Sequence, residues 1–339
     1  MKKGVIRVEA NSDVGLGHAT RAFSLCEMLS NDSSISLAFR EMPSKLKKEF
    51  GLLSCDLICL KDINPSEEYS YLKSVLGDID FVIVDGYSFL DYFKLDVKSS
   101  GVKLILIDDN TEISIKADLL INHSPGLRKT NYPLYKESNL CLGLDFALLR
   151  SDFLKDNFYS DEVNDNPKKD GVLVCLGGSD PLKISNLIVK ALLSKTREVI
   201  HCVLGELNSN FNNYDMSQFI DNRLFLYQGL SALEMRKLML SANVGICSSS
   251  TISLECIASR LPILVGWSLD NQKNIYDGIT NKDLAIGLGN FDNIQEEQIV
   301  DSVMSLVADE KSRNRMIDSQ ISHLDLRSST RIKKAILEN

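Results

Sequence analysis

Val5-Ile6-Arg7-Val8-Glu9 leads into Asn11-Ser12-Asp13-Val14-Gly15-Leu16-Gly17-His18-Ala19-Thr20-Arg21, and this into Ala22-Phe23-Ser24-Leu25-Cys26-Glu27-Met28-Leu29. The first run alternates apolar residues at strand spacing, and the last repeats them at helical spacing. Between them lies a glycine-bearing strand-to-helix turn, which leaves backbone N–H groups where a phosphate can sit on a helix N-terminus. A dinucleotide fingerprint would carry a third glycine at the position of His18, so that a pyrophosphate could touch backbone. A histidine there presents a titratable group instead.

Working outward, the same alternation recurs. Apolar β-branched runs fall at Ile35–Phe39, Phe81–Val84, Val102–Ile107 and Leu119–Ile121 in the first half. In the second they fall at Gly171–Leu176, Val199–Leu204, Leu224–Tyr227, Val244–Cys247 and Ile263–Val265. Helix-periodic segments such as Ile184–Leu193, Ala232–Leu240 and Ile252–Ser259 lie between them. Short strands alternating with helices predict parallel sheets covered on both faces. The polar stretch Asp156–Asp170 reads as a linker,. The expected architecture is α/β: two Rossmann-like domains, 1–156 and 170–339, with parallel sheets facing across a cleft in a GT-B-like arrangement.

Composition bounds the rest. The chain has 339 residues, 44% hydrophobic and 25% charged, values ordinary for a globular protein of two domains,. With 38 basic and 46 acidic residues the net charge is −8 and no basic patch stands out, which argues against nucleic acid as a partner,. Met1-Lys2-Lys3-Gly4 is followed by no long apolar stretch, so neither a signal peptide nor a membrane span is expected,. Eight cysteines, Cys26, Cys55, Cys59, Cys141, Cys175, Cys202, Cys247 and Cys256, show no C-x-x-C pair and read as buried reduced thiols of a cytoplasmic protein,. No cofactor or metal is expected, because no ligand spacing and no Walker lysine loop occurs.

Several turns follow apolar runs. Gly177-Gly178-Ser179-Asp180-Pro181 follows Val172–Leu176, and its glycines let backbone approach a ligand at the carboxyl edge of the sheet,. Ser248-Ser249-Ser250-Thr251 follows Val244–Cys247 and opens a helix, a match for a diphosphate,. Glu255 lies one turn further along that helix, placed to accept from ribose hydroxyls,. Taken alone, the serines read more readily as an ordinary cap with exposed hydroxyls, and Glu255 as a surface charge. The first half adds Asp85-Gly86-Tyr87, Asp108-Asp109-Asn110 and Asn122-His123 after its strands. Asp and Asn favour such turns in any case. His201 and His323 read as structural.

In this order the motifs resemble the UDP-sugar hydrolase family of pseudaminic acid biosynthesis. The resemblance runs from Gly4 to about Gly289. It rests on Gly15-Leu-Gly17-His18 with Arg21, Asp85-Gly-Tyr87, Asp108-Asp109, Gly143–Arg150, Gly177–Asp180, Ser249–Thr251 with Glu255, and Asn271-Gln272. It implies hydrolysis of UDP-2,4-diacetamido-2,4,6-trideoxy-β-L-altropyranose to the free sugar and UDP, with His18 as general base. UDP and substrate contacts carried over are Gly17, Arg21, Asn122, Gly177, Gly178, Ser179, Ser249, Ser250, Thr251, Glu255, Asn271 and Gln272. Lys183 stands where family members often have asparagine, which puts one nucleotide contact in doubt.

A nucleoside diphosphate leaves readily once its charge is stabilised, so one base that aims and deprotonates water at C1 would suffice. The helix start favours neutral, basic His18. Asp13 is placed to orient its imidazole, and Tyr87 and Asn122 to hold the sugar. Direct attack by water implies inversion. The expected partners are a UDP-sugar and water, with no membrane and a monomer as the working assumption. The same turn and the second-half glutamate also occur in MurG-like glycosyltransferases, so a GT-B glycosyltransferase using a UDP-sugar donor is the alternative.

Overall fold

The computed structural model describes residues 1–10, 17–87, 91–111, 113–155, 169–178, 184–205 and 221–338. The chain forms two compact units, Met1–Ser151 with Arg327–Asn339, and Asp152–Leu326.

The first unit is built on seven parallel strands: β1 (Lys2–Val8), β2 (Ser33–Phe39), β3 (Cys55–Cys59), β4 (Phe81–Asp85), β5 (Lys103–Ile107), β6 (Leu119–Asn122) and β7 (Leu140–Leu142). Their order is β3-β2-β1-β4-β5-β6-β7, so strand order reverses between β1 and β4. Helices α1 (Gly17–Leu29), α2 (Ser44–Gly51), α3 (Glu68–Leu76) and α4 (Asp91–Ser99) alternate with the strands. The central strands are buried on both faces, as their unbroken apolar runs require,. Val82, Val84, Leu104 and Leu106 pack with Leu72 and Phe93 into one core cluster.

The second unit repeats the plan with β8 (Val172–Cys175), β9 (Ile200–Leu204), β10 (Leu224–Gln228), β11 (Val244–Ser248), β12 (Ile263–Trp267) and β13 (Ile286–Asn290). All are parallel in the order β10-β9-β8-β11-β12-β13, with the reversal between β8 and β11. Its helices are α5 (Ile184–Lys195), α6 (Ala232–Ser241), α7 (Thr251–Ala258), α8 (Lys273–Thr280), α9 (Glu296–Ala308) and α10 (Glu310–His323).

The last helix, α11 (Ser328–Leu337), belongs to the first unit and not, as the expected boundary of 170–339 had it, to the second. Ile332 and Ile336 are fully buried, each such burial contributing about 1.5–3 kcal/mol. Lysines from far upstream cap its end: Lys2 donates to the Leu337 carbonyl at 2.6 Å, and Lys103 to those of Ala335 and Ile336 at 3.1 and 2.8 Å. Cations there satisfy orphan carbonyls and complement the helix dipole. Of the expected linker, only Lys169 and Asp170 are among the described residues. Six of the eight cysteines are buried, whereas Cys55 is half-buried and Cys59 exposed. Among the described residues no helix is long and apolar enough to cross a membrane.

Candidate functional site

His18 and Arg21 lie one turn apart on α1, which puts them on the same face of the helix,. That face meets the end of β4, where Asp85 is fully buried. His18 Nδ1 lies 2.6 Å from Asp85 Oδ1. Arg21 donates to Asp85 through Nε at 3.0 Å and through a terminal nitrogen at 2.6 Å, and to Asp109 Oδ1 at 2.5 Å. The residues come from strand ends that are neighbours in the sheet, since β4 pairs in parallel with β5.

Burial alone would push the Asp85 carboxyl up, but the Arg21 guanidinium and His18 outweigh it and hold its pKa below the usual range. Asp109 behaves likewise: burial is overcome by Arg21, with further help from His18 and Tyr87, and its pKa falls well below the ordinary carboxylate value. Burial opposes the charge on Arg21 in turn, and the two carboxylates more than offset it,. An ionised carboxylate can only accept a hydrogen bond. His18 Nδ1 also lies 2.6 Å from a terminal nitrogen of Arg21, so it is held between a carboxylate that can only accept and a guanidinium that can only donate,. Two carboxylates against one guanidinium leave the cluster with one negative charge, so a proton arriving on His18 makes it neutral.

Tyr87 borders this cluster. Its hydroxyl donates to Asp109 Oδ2 at 2.7 Å, its N–H to Glu9 Oε2 at 2.6 Å, and its ring meets that of His18 edge-on at 4.7 Å. Asn122, at the end of β6, is committed internally. Its amide donates to the Tyr132 hydroxyl at 2.8 Å and to Asp108 at 3.3 Å, and its carbonyl oxygen accepts from the Ser124 N–H at 3.0 Å.

At the matching edge of the second unit the materials differ. Gly177 has φ +89°, a conformation that favours glycine, and a side chain there would meet the Ser248 and Ser250 hydroxyls at 3.7 and 4.0 Å,. On the other side Gly205 follows β9, and a Cβ on it would lie 2.1 Å from the Gly178 carbonyl oxygen. The glycine turn, Gly205 and the serine turn are thus side by side along three adjacent strand ends. Ser248 donates to the Leu176 carbonyl at 3.0 Å and its hydroxyl contacts that of Ser250 at 3.0 Å. Ser249 is fully buried and donates to the Gly266 carbonyl at 3.1 Å. Thr251 begins α7, and Glu255 on that helix is 1% exposed, which excludes its reading as a surface charge. Asn271 and Gln272 lie in a short 3-10 turn leading into α8, where the Gln272 side-chain oxygen accepts from the Ser268 N–H at 2.9 Å.

The structure thus brings His18, Arg21 and Tyr87 together in one unit and Gly177, Gly178, Ser250 and Thr251 in the other, with Glu255 buried on the helix that Thr251 opens. Asp13, Ser179 and Lys183 lie outside the described residues. Arg21, Asn122, Ser249 and Gln272, expected as ligand contacts, each have side-chain groups bonded within their own unit. The His18 partner that sequence reasoning passed over is Asp85, 67 positions away. The available signal was an acidic residue closing a buried apolar strand.

No family model matches the chain. It is 25% identical over 301 residues to an uncharacterized protein of Methanocaldococcus jannaschii, covering 83% of this chain but only 59% of that protein's length. It is also 25% identical over 286 residues to the UDP-2,4-diacetamido-2,4,6-trideoxy-β-L-altropyranose hydrolase of Campylobacter jejuni, covering 83% of this chain and 97% of the hydrolase. Among solved structures, Acinetobacter baumannii MurG superposes over the full length of both chains with a TM-score of 0.69 at 13% identity. The S. aureus MnaA–UDP structure matches 99% of this chain and 96% of its own with a TM-score of 0.70 at 15% identity. These likenesses show the GT-B fold. Two parallel-sheet Rossmann-like units are the scaffold on which the site is built.

Proposed function

We propose that this protein is an enzyme acting on a UDP-sugar, and that it hydrolyses the C1–O bond of a UDP-linked diacetamido-trideoxy sugar, releasing UDP and the free sugar. The observation that carries the reading is the buried Asp85–His18 pair, with Asp85 kept ionised by Arg21. With its Nδ1 hydrogen given to Asp85, such a histidine is a general base through Nε2. His18 Nε2 takes a proton from water as the water oxygen bonds to C1. The C1–O bond to the β-phosphate breaks, its electron pair leaves with UDP, and the configuration at C1 inverts. Asp85 stabilises the imidazolium that forms, Arg21 positions Asp85, and Tyr87 lies against the ring. Assigned to UDP are the Gly177–Gly178 turn, the Ser250–Thr251 helix start, Glu255 and Asn271. The likeness to the Campylobacter hydrolase over nearly its whole length supports this choice of substrate and the place of the reaction in pseudaminic acid biosynthesis.

The test is to incubate the pure protein with that UDP-sugar in ¹⁸O-labelled water without any acceptor. UDP release with label in the sugar and none in UDP is expected. Label in the UDP phosphate would mean attack at phosphorus, and UDP release only when a sugar or lipid acceptor is added would mean a glycosyltransferase.

A further inference from the structure

His123 follows Asn122 at the carboxyl end of β6, and Ser124 follows it; their exposures are 2% and 1%. The backbone N–H of Leu148 donates to His123 Nδ1 at 3.3 Å. A backbone N–H can only donate, so the neutral ring carries its hydrogen on Nε2. That Nε2, and the Ser124 hydroxyl, have no hydrogen-bond partner among the described residues. Buried polar groups are almost always paired, so two consecutive orphans call for an explanation. The surroundings narrow it. His123 lies within the field of Arg21, Asp109 and Asp85, charges already tied to one another by hydrogen bonds. Burial first, and then Arg21, push its pKa down to about 4, so the ring is neutral near pH 7.

Resting on the hydrolase reading above, we propose that His123 and Ser124 recognise an acetamido substituent of the sugar. The imidazole Nε2–H donates to the amide carbonyl oxygen, and the Ser124 oxygen accepts from the amide N–H. A donor beside an acceptor is the complement of an amide. A phosphate fits poorly, because the neighbouring guanidinium is already paired and the neighbouring carboxylates would repel an anion,. The residue that recognises the sugar is thus one position beyond Asn122.

Two measurements test this. The first compares wild type with His123→Phe and His123→Gln on UDP-2,4-diacetamido-2,4,6-trideoxy-β-L-altropyranose. His123→Phe should raise KM roughly 10- to 100-fold while UDP affinity stays unchanged, and His123→Gln, which keeps a donor and an acceptor, should recover most of the loss. Unchanged KM in His123→Phe overturns the proposal. The second uses ¹⁵N-histidine-labelled His18→Ala protein, in which the substrate persists, and needs no turnover and no altered His123. The His123 Nε2 resonance should move with the UDP-sugar and not with UDP alone. An identical response to both overturns the proposal. If the wild type releases no UDP but the resonance still responds only to the sugar nucleotide, the hydrolase reading fails and the acetamido contact stands.

Discussion

Where strand order reverses, the first unit sets Asp85 at the end of β4 against the start of α1, and the second sets Ser248 at the end of β11 against the Gly177–Gly178 turn. The two sheets share one order over six strands, and in both the reversal opens the carboxyl edge to a ligand,. One edge holds four groups of a single charge network, His18, Arg21, Asp85 and Asp109, all at least nine-tenths buried. The other has glycine backbone and hydroxyls, with Glu255 buried nearby in sequence. A fold therefore provides a place, and the side chains decide whether that place handles a proton or an anion. If the contrast is functional, damage to the first edge should fall on turnover and stability, and damage to the second on UDP affinity.

The largest effect is expected at His18. His18→Ala should lower turnover about 100- to 10,000-fold, with UDP affinity by calorimetry near wild type. A variant that keeps most of its activity removes the histidine from the chemistry and dissolves the contrast.

Arg21 comes next, read as stability. Arg21→Met keeps length but leaves Asp85 and Asp109 as buried carboxylates without their cation. Breaking one side of such a pairing costs about 3–5 kcal/mol, visible as a lower midpoint in urea unfolding. A loss under 1 kcal/mol would mean that the network relaxes, and that Arg21 does not position Asp85.

Much of this frame was legible in the sequence, and the gaps have physical causes. Ten of the thirteen strands among the described residues coincide with apolar β-branched runs, and the central ones are buried on both faces, which requires apolar residues throughout,. β3, β7 and β13 were missed. β3 (Cys55–Cys59) is a half-exposed edge strand interrupted by Asp56, β7 has three residues and none is β-branched, and β13 carries two glycines, so none forms a long β-branched run. The turn at His18 opens α1, and the partner that local spacing offers, Asp13, lies outside the described residues. Parallel pairing of β1 with β4 brings Asp85 to His18, and no local spacing encodes that. The lysines that tie α11 to the first unit stand in β1 and β5, again beyond any local pattern.

The third prediction concerns pH. His123 titrates near 4 in the folded protein against an ordinary 6.5. A folded pKa below the unfolded one gives stability that is fully present above pH 6.5 and is lost as pH falls toward 4. By pH 4.5 the loss should reach roughly 2–3 kcal/mol. The low-lying pKa values of Asp85 and Asp109 act in the same direction, at still lower pH. Urea unfolding at pH 7.5 and 4.5 separates these contributions, because His123→Gln removes only the histidine's. Equal acid sensitivity in wild type and His123→Gln would show that His123 keeps an ordinary pKa.

The smallest effects divide the second edge itself, between Glu255 and Ser249. Both are buried and both stand in the segment that opens α7, yet their side chains differ in what holds them. The Ser249 hydroxyl donates to the Gly266 carbonyl of β12, and its N–H donates to the same oxygen at 2.8 Å. It ties two strand ends together and has no second hydrogen to offer a ligand. Ser249→Ala should therefore cost about 1 kcal/mol of stability and leave UDP affinity untouched. Glu255→Ala should weaken UDP binding by about 1.5–3 kcal/mol, the worth of a hydrogen bond to a charged group. If Ser249→Ala weakens UDP and Glu255→Ala does not, the ligand sits on the serine turn alone. The helix start would then be the whole anion site, with no ribose contact from α7.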